Sequence, residues 1–214
     1  MELYTYFRSS ASYRVRIALA LKGVRAHQRY VHLVKGGGEQ HREEFKRINP
    51  AELVPVLTDG DAVITQSLAM LEYLEEKYPA VPLLPEVASD RAWVRSLALQ
   101  ISCEIHPLNN LRVLQYLERE LQLTSKQKQA WIAHWIALGF AAFETELSTE
   151  GRSGTCCFGD TPTIVDCCLV PQVFNARRFG IPMDAYPTVA RIAQHLQSLE
   201  AFRVAAPGVQ PDAE

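Results

Sequence analysis

The sequence predicts two domains of different class: an α/β domain of element order βαβαββα over residues 1–80, and an all-helical domain over residues 86–214. Three observations predict it. Alternating segments rich in aromatic and β-branched residues, the mark of half-buried strands, occur only in the first 80 residues. A proline-dense stretch, PAVPLLP at 79–85, follows them and reads as a connector. Beyond it, apolar residues recur at helical spacing, as on the buried face of a helix. At 214 residues the chain is long enough to build two modest cores.

The first strand is ELYTYF at 2–7, which runs into FRSSASYRVRIALALKG at 7–23. Residues 12–22 are apolar round most of a helical circumference (Val15, Ile17, Ala18, Leu19, Leu21), and Gly23 is placed as the C-terminal stop. Ser9, Ser10 and Ser12 admit two readings. They are N-cap residues that satisfy orphan amides, or they are hydroxyls at a positive helix end that receives an anion or thiolate. AHQRYVHL at 26–33 is a second strand and completes a βαβ unit with a parallel pair. Residues 35–47 are glycine-rich and then charged, a loop leading to a short solvated helix. Asn49-Pro50 breaks the chain before LVPVL at 53–57, a strand whose Pro55 removes a ladder donor. Such a proline belongs at a sheet edge, or at a site boundary as a cis bond that turns the preceding backbone toward a ligand. Asp59-Gly60-Asp61 is a tight turn, 62–65 the returning strand, and Gln66-Ser67 opens a helix to about Tyr78. Two helix starts with polar pairs suggest a ligand bound at those N-termini.

In the second domain the stripe Trp93, Leu97, Ile101, Ile105, Leu108 predicts one helix over 90–121, kinked at Pro107. His106, Asn109, Asn110 and Arg112 then fall on the face that should be buried. They line a cleft, or they mark a helix end emerging into water. A second long helix over 126–147 carries Trp131, Trp135, Leu138, Phe143 and Leu147 inward. Thr163-x-x-Asp166 is close to a capping box and opens a helix that continues through Pro171 to Phe179. Arg177 and Arg178 lie near its end, where cations suit the negative pole. A last helix from Thr188 to about Ala201 precedes a proline-rich tail expected to lie over the surface.

A net charge of −2, with mixed signs, argues against a polyanion partner. No apolar run approaches a membrane span and the N-terminus lacks a signal-peptide pattern, so a soluble, cytoplasmic protein is expected, with no nucleic acid and no membrane as partner. The five cysteines (Cys103, Cys156, Cys157, Cys167, Cys168) form no C-x-x-C pair and match no zinc spacing. Reduced thiols, and neither a dithiol centre nor a metal, are expected.

Ser9-Ser10-x-Ser12-x-Arg14-Val15-Arg16-Ile17-Ala18-Leu19 resembles the signature of the zeta class of the glutathione transferases. Asn49-Pro50, Val54-Pro55, Gln66-Ser67, Phe158-Gly159-Asp160 and Leu169-Val170-Pro171-Gln172-Val173 follow in that family's order, so the likeness spans the chain. It implies a thioredoxin-like first domain that binds glutathione, an all-helical second domain that holds the other substrate, and a homodimer. Ser10 would contact the glutathione sulfur, with Ser9, Ala11, Ser12, Tyr13 and Arg14 building the loop around it. Val54, before a cis Pro55, would pair with the tripeptide backbone. Gln66 and Ser67 would bind its γ-glutamyl end, and Gln40, His106 and Asn110 would complete the pocket. Two positions depart from the pattern. Ala11 stands where many zeta enzymes have cysteine, which excludes a covalent role for that side chain. Tyr13 stands where tryptophan is frequent, a packing change.

The implied activity is glutathione-dependent cis–trans isomerisation of a dianionic diketo acid, maleylacetoacetate to fumarylacetoacetate, by thiolate addition, bond rotation and elimination. Gripping two carboxylates is arginine chemistry, and Arg8, Arg112 and Arg178 are the candidates. The context of Arg8 and Arg112 also resembles enzymes acting on the shorter maleylpyruvate. A general transferase that consumes glutathione, and a non-catalytic partner protein of the same fold, are the rival readings.

Overall fold

The computed structural model describes residues 1–214. The chain divides into two compact units, Met1–Leu83 with Ser198–Glu214, and Leu84–Gln197.

The first unit contains β1 (Glu2–Thr5), α1 (Ser10–Leu21), β2 (His27–Tyr30), α2 (Glu43–Ile48), β3 (Val56–Asp59), β4 (Ala62–Thr65) and α3 (Ser67–Lys77), which is the expected order. The sheet runs β2-β1-β3-β4, with β1 parallel to β2 and antiparallel to β3. Alternation works as anticipated in β1: Leu3 and Thr5 are buried, Glu2 and Tyr4 less so. The third strand starts after Pro55 rather than through it, because proline offers no N–H to the ladder. Gly23 adopts φ +65° at the end of α1, and Val24 N–H reaches back to Leu19 C=O at 2.9 Å, the left-handed stop that glycine permits. Beyond α3, the fully buried Lys22 ammonium donates to Glu75 (2.7 Å) and to the carbonyls of Tyr78 (3.0 Å) and Val81 (2.6 Å). Glu75 in turn accepts from Leu83 N–H at 2.8 Å, so this one ion pair fastens the connector.

The expected boundary of the second domain, 86–214, needs correction at its far end. Residues 198–214, including α9 (Glu200–Val204), belong to the first unit. The tail does not merely lie over the surface. Phe202, Ala205, Pro207 and Gln210 are buried, Phe202 C=O accepts from the Tyr13 hydroxyl (3.2 Å), and Ala205 C=O accepts from Arg16 Nε (3.0 Å). Burial of apolar surface overrides the proline content that suggested a loose tail.

The second unit holds α4 (Ala88–Leu99), α5 (Leu111–Arg119), α6 (Ser125–Thr149), α7 (Ile164–Arg178) and all but the last residue of α8 (Pro187–Ser198). The predicted kinked helix over 90–121 is two helices. A wide turn, Gln100–Ile105, closes with His106 N–H bonded to Ile101 C=O at 2.9 Å, and Pro107 then opens a tight turn instead of bending a continuing helix. Asn110 caps α5, its Oδ1 accepting from Arg112 N–H at 3.2 Å. In α6 the inward stripe is Ile132, Ile136, Phe140, Phe143 and Leu147; Leu138 points outward. Gly139 permits a close approach there, since a Cβ would lie 2.3 Å from Ile105 Cγ1. The α7 helix is buried almost all round, as a central helix must be.

Candidate functional site

Two helix N-termini of the first unit meet through one buried side chain. Arg14 of α1 donates from Nη1 to Ser67 Oγ, the first residue of α3, at 3.1 Å. Both helices begin beside polar residues, as the sequence suggested, and their positive ends are therefore held together.

At the start of α1 the three serines divide the work. Ser9 is the N-cap: its backbone is extended and its Oγ accepts from Ser12 N–H at 3.2 Å. Ser10 is the first helical residue, 7% exposed, and no hydrogen bond within the chain uses its hydroxyl. The Ser12 hydroxyl is buried without a partner. Tyr13 is turned into the core toward Phe202, and burial pushes its phenol up to about 12. Ser12 and Tyr13 therefore sit beneath the helix mouth rather than at it; Ala11, half-buried, stays in the first turn.

At the start of α3, Gln66 has φ +68° and ψ 118°, a region that side-chain-bearing residues rarely occupy. Its exposed side chain makes no cap bond to the helix. Non-glycine residues held in such conformations gather at ligand sites. The Val54–Pro55 bond is cis, and both residues are buried. The loop before it is ordered by Asn49, which donates to Leu53 C=O (2.7 Å) and accepts from Ala51 N–H (3.1 Å). Gln40, 5% exposed, donates to Leu33 C=O at 3.2 Å while its Oε1 is buried with no partner. Gly38 makes this possible: at φ +100° a Cβ would lie 2.5 Å from Gln40 Nε2. Each of these sequence-predicted groups thus retains an uncommitted polar function or an unusual backbone.

Of the three arginines, Arg112 is the one whose placement differs from expectation. Arg8 is exposed, stacked over the Tyr6 and Phe7 rings at 5.8 and 5.5 Å and bonded to the Tyr6 hydroxyl at 3.3 Å. In the second unit Arg112 is exposed in the first turn of α5, not on a buried stripe, because the break at residues 107–110 resets the helical phase. His106 and Asn110 are half-buried, and Asn110 caps the helix whose first turn holds Arg112. Arg178 is exposed at the end of α7, its guanidinium 4.2 Å from the centroid of the Phe179 ring.

No thiolate comes from the buried cysteines of the chain. Burial pushes the Cys156 thiol up to about 12 and the Cys157 thiol well above its ordinary value, and Cys167 and Cys168 are fully buried. No group of three or more His, Cys, Asp or Glu could hold a metal ion, and no helix is long and apolar enough to cross a membrane. What the first unit offers is a hydroxyl at the positive end of one helix, a buried arginine that ties that helix to the start of α3, and a cis Val54–Pro55 bond in the same unit.

Residues 3–82 match the family described as glutathione S-transferase, N-terminal domain. Among curated proteins, a probable maleylacetoacetate isomerase of Vibrio cholerae is 52% identical over 211 residues, covering 99% of this chain and 97% of that one. Among solved structures, the holo structure of a maleylpyruvate isomerase, a bacterial glutathione S-transferase in the zeta class, superposes with a TM-score of 0.97 at 45% identity, covering 100% of both chains. A maleylacetoacetate isomerase of Methylobacterium extorquens, with bound malonate and glutathione, superposes with a TM-score of 0.96 at 40% identity over 100% of both chains.

Proposed function

Since the chain belongs to the glutathione S-transferase family, in its zeta class, we propose that it is a glutathione-dependent cis–trans isomerase of a maleyl diacid, with maleylacetoacetate as substrate and fumarylacetoacetate as product. The observation that carries this reading is the Ser10 hydroxyl, which stays uncommitted at the positive end of α1 because Ser9 does the capping.

When bound, glutathione supplies a thiolate that adds to the cis double bond and leaves again after rotation, so it is not consumed. The chain's task is to keep that sulfur ionised. A free thiol with pKa about 8.5 is mostly protonated at neutral pH. A hydroxyl donating to the charged form is a charge-assisted bond of roughly 1.5–3 kcal/mol, equivalent to about one to two pKa units. The fit of the remaining groups supports the tripeptide. Gln66 and Ser67 at the start of α3 suit its charged γ-glutamyl end, the backbone of Val54 suits its peptide groups, and Gln40 has an acceptor left over. For the dianionic substrate, Arg8, Arg112 and Arg178 are the proposed carboxylate ligands. The malonate-bound relative is a precedent for a dicarboxylate bound by such a protein. We also assign the chain to the cytoplasm as a homodimer.

Maleylpyruvate is the second reading, favoured by the 0.97 TM-score to a maleylpyruvate isomerase. Isomerisation assays with both diacids, with and without glutathione, test the proposal. Turnover that requires glutathione and follows one diacid at least tenfold better is expected. Glutathione-independent turnover, or none with either diacid, would sink it.

A further inference from the structure

The strand-to-helix passage from Thr5 to Ser10 carries the serine loop, yet its backbone makes one internal turn bond, Ser9 N–H to Tyr6 C=O at 3.0 Å. The rest of its order comes from two distant charges. Asp212 Oδ2 accepts from Phe7 N–H at 2.8 Å, and Arg16 Nη2 donates to Phe7 C=O at 2.9 Å. Both backbone groups of Phe7 are thus held by ionised side chains, immediately before Arg8, Ser9 and Ser10. Arg16 is 4% exposed and also grips Thr5 Oγ1 (3.0 Å), Tyr6 C=O (3.3 Å) and Ala205 C=O (3.0 Å). Burial pushes its guanidinium down to about 10, and Asp212 is the charge that most opposes this.

We propose that Arg16 and Asp212 are positioning residues for Ser10, clamping Phe7 from opposite sides so that the serine hydroxyl is presented in one place. The clamp brings the tail of the chain into the construction of the active centre, and it rests on the function assigned to Ser10 above. The same tail also fastens the other glutathione-facing loop of the first unit. His32 Nδ1 accepts from Val34 N–H (3.1 Å) and Lys35 N–H (2.8 Å), which leaves the proton on Nε2, 3.1 Å from Glu214 Oε1. Glu214 pairs with Lys35 as well, so the glycine turn that leads to Gln40 is tied to the same C-terminal segment. Ala213, between the two carboxylates, packs against the cluster of Tyr6 and Phe7.

The test uses the full chain with glutathione and three variants, Asp212→Ala, Asp212→Asn and Asp212→Glu. The bound thiol is titrated by its ultraviolet thiolate absorbance, alongside kcat, KM for glutathione and Tm. Asp212→Ala is expected to raise the bound-thiol pKa by about half a unit or more and lower kcat at neutral pH roughly three- to tenfold, with KM changing less than about twofold. Asp212→Asn, whose amide oxygen can still accept from Phe7, is expected to stay within about twofold of the wild type. If alanine at this position prevents folding, Asp212→Glu displaces the carboxylate by one methylene and is expected to shift both quantities in the same direction. Wild-type thiol pKa and kcat in Asp212→Ala, or in Asp212→Glu where the alanine variant does not fold, whatever the Tm, would overturn the inference. A wild-type protein that shows no ionised thiol with glutathione would overturn the reading of Ser10 and this inference with it.

Discussion

The starts of α1 and α7 are built from similar residues and do opposite things. At α7 every polar group of the cap is used: Asp166, fully buried, accepts from Thr163 N–H (2.7 Å), from the Thr163 hydroxyl (3.0 Å) and from Cys157 N–H (2.9 Å). At α1 the cap is one bond from Ser9, and the next hydroxyl is left over. A helix start whose polar groups are all paired is architecture. One with a hydroxyl to spare at its positive end can serve a ligand. The start of α5 is a third kind, because Arg112 in its first turn places a cation at the end where helices prefer anions.

The contrast is broken most forcefully at α7. Asp166→Ala strands two buried N–H groups and a hydroxyl, and a loss of about 3–5 kcal/mol in denaturant unfolding is expected, with kcat per folded molecule unchanged. A loss under about 1 kcal/mol would deny the cap its structural role. Ser10→Ala should do the reverse. Stability is expected to hold within about 0.5 kcal/mol, while kcat at pH 7 falls roughly ten- to thirtyfold, more than affinity for glutathione does. Equal losses in turnover and affinity would remove the thiolate role. Arg112→Ala should raise KM for the diacid about tenfold while stabilising α5 by a few tenths of a kcal/mol, since it removes an unfavourable dipole contact. Unchanged kinetics would exclude Arg112 from the site. Ser9→Ala gives the smallest effect, about 1 kcal/mol of stability, with turnover per folded molecule reduced less than by Ser10→Ala, and a melting experiment with an activity assay separates the two serines.

Much of this was legible in the sequence where the signal is local. The order of strands and helices in the first unit follows from alternation and turn residues, the stop at Gly23 from glycine's access to positive φ, and the Thr163–Asp166 cap from the spacing of a capping box. What was not legible depends on contacts between distant residues or on helical phase. Nothing in PGVQPDAE announces that its aspartate will meet Phe7, 205 positions earlier. In α6 the sequence places Phe143 and Leu147 inward correctly but not Leu138, because apolar character alone does not fix helical phase, and Arg112 is exposed because the turn at Pro107 restarts that phase. Which of the three serines at 9, 10 and 12 caps α1 is also invisible in one dimension, since each is a competent cap and only backbone geometry selects Ser9.

The most direct test of the central claim is a pH titration of enzyme-bound glutathione, followed by thiolate absorbance, in the wild type and in Ser10→Ala. An ionised sulfur at or below about pH 7.5 in the wild type, moving up by about one to two units in the variant, is the predicted result. Superimposable titration curves would mean that the leftover hydroxyl of α1 does not hold the charge.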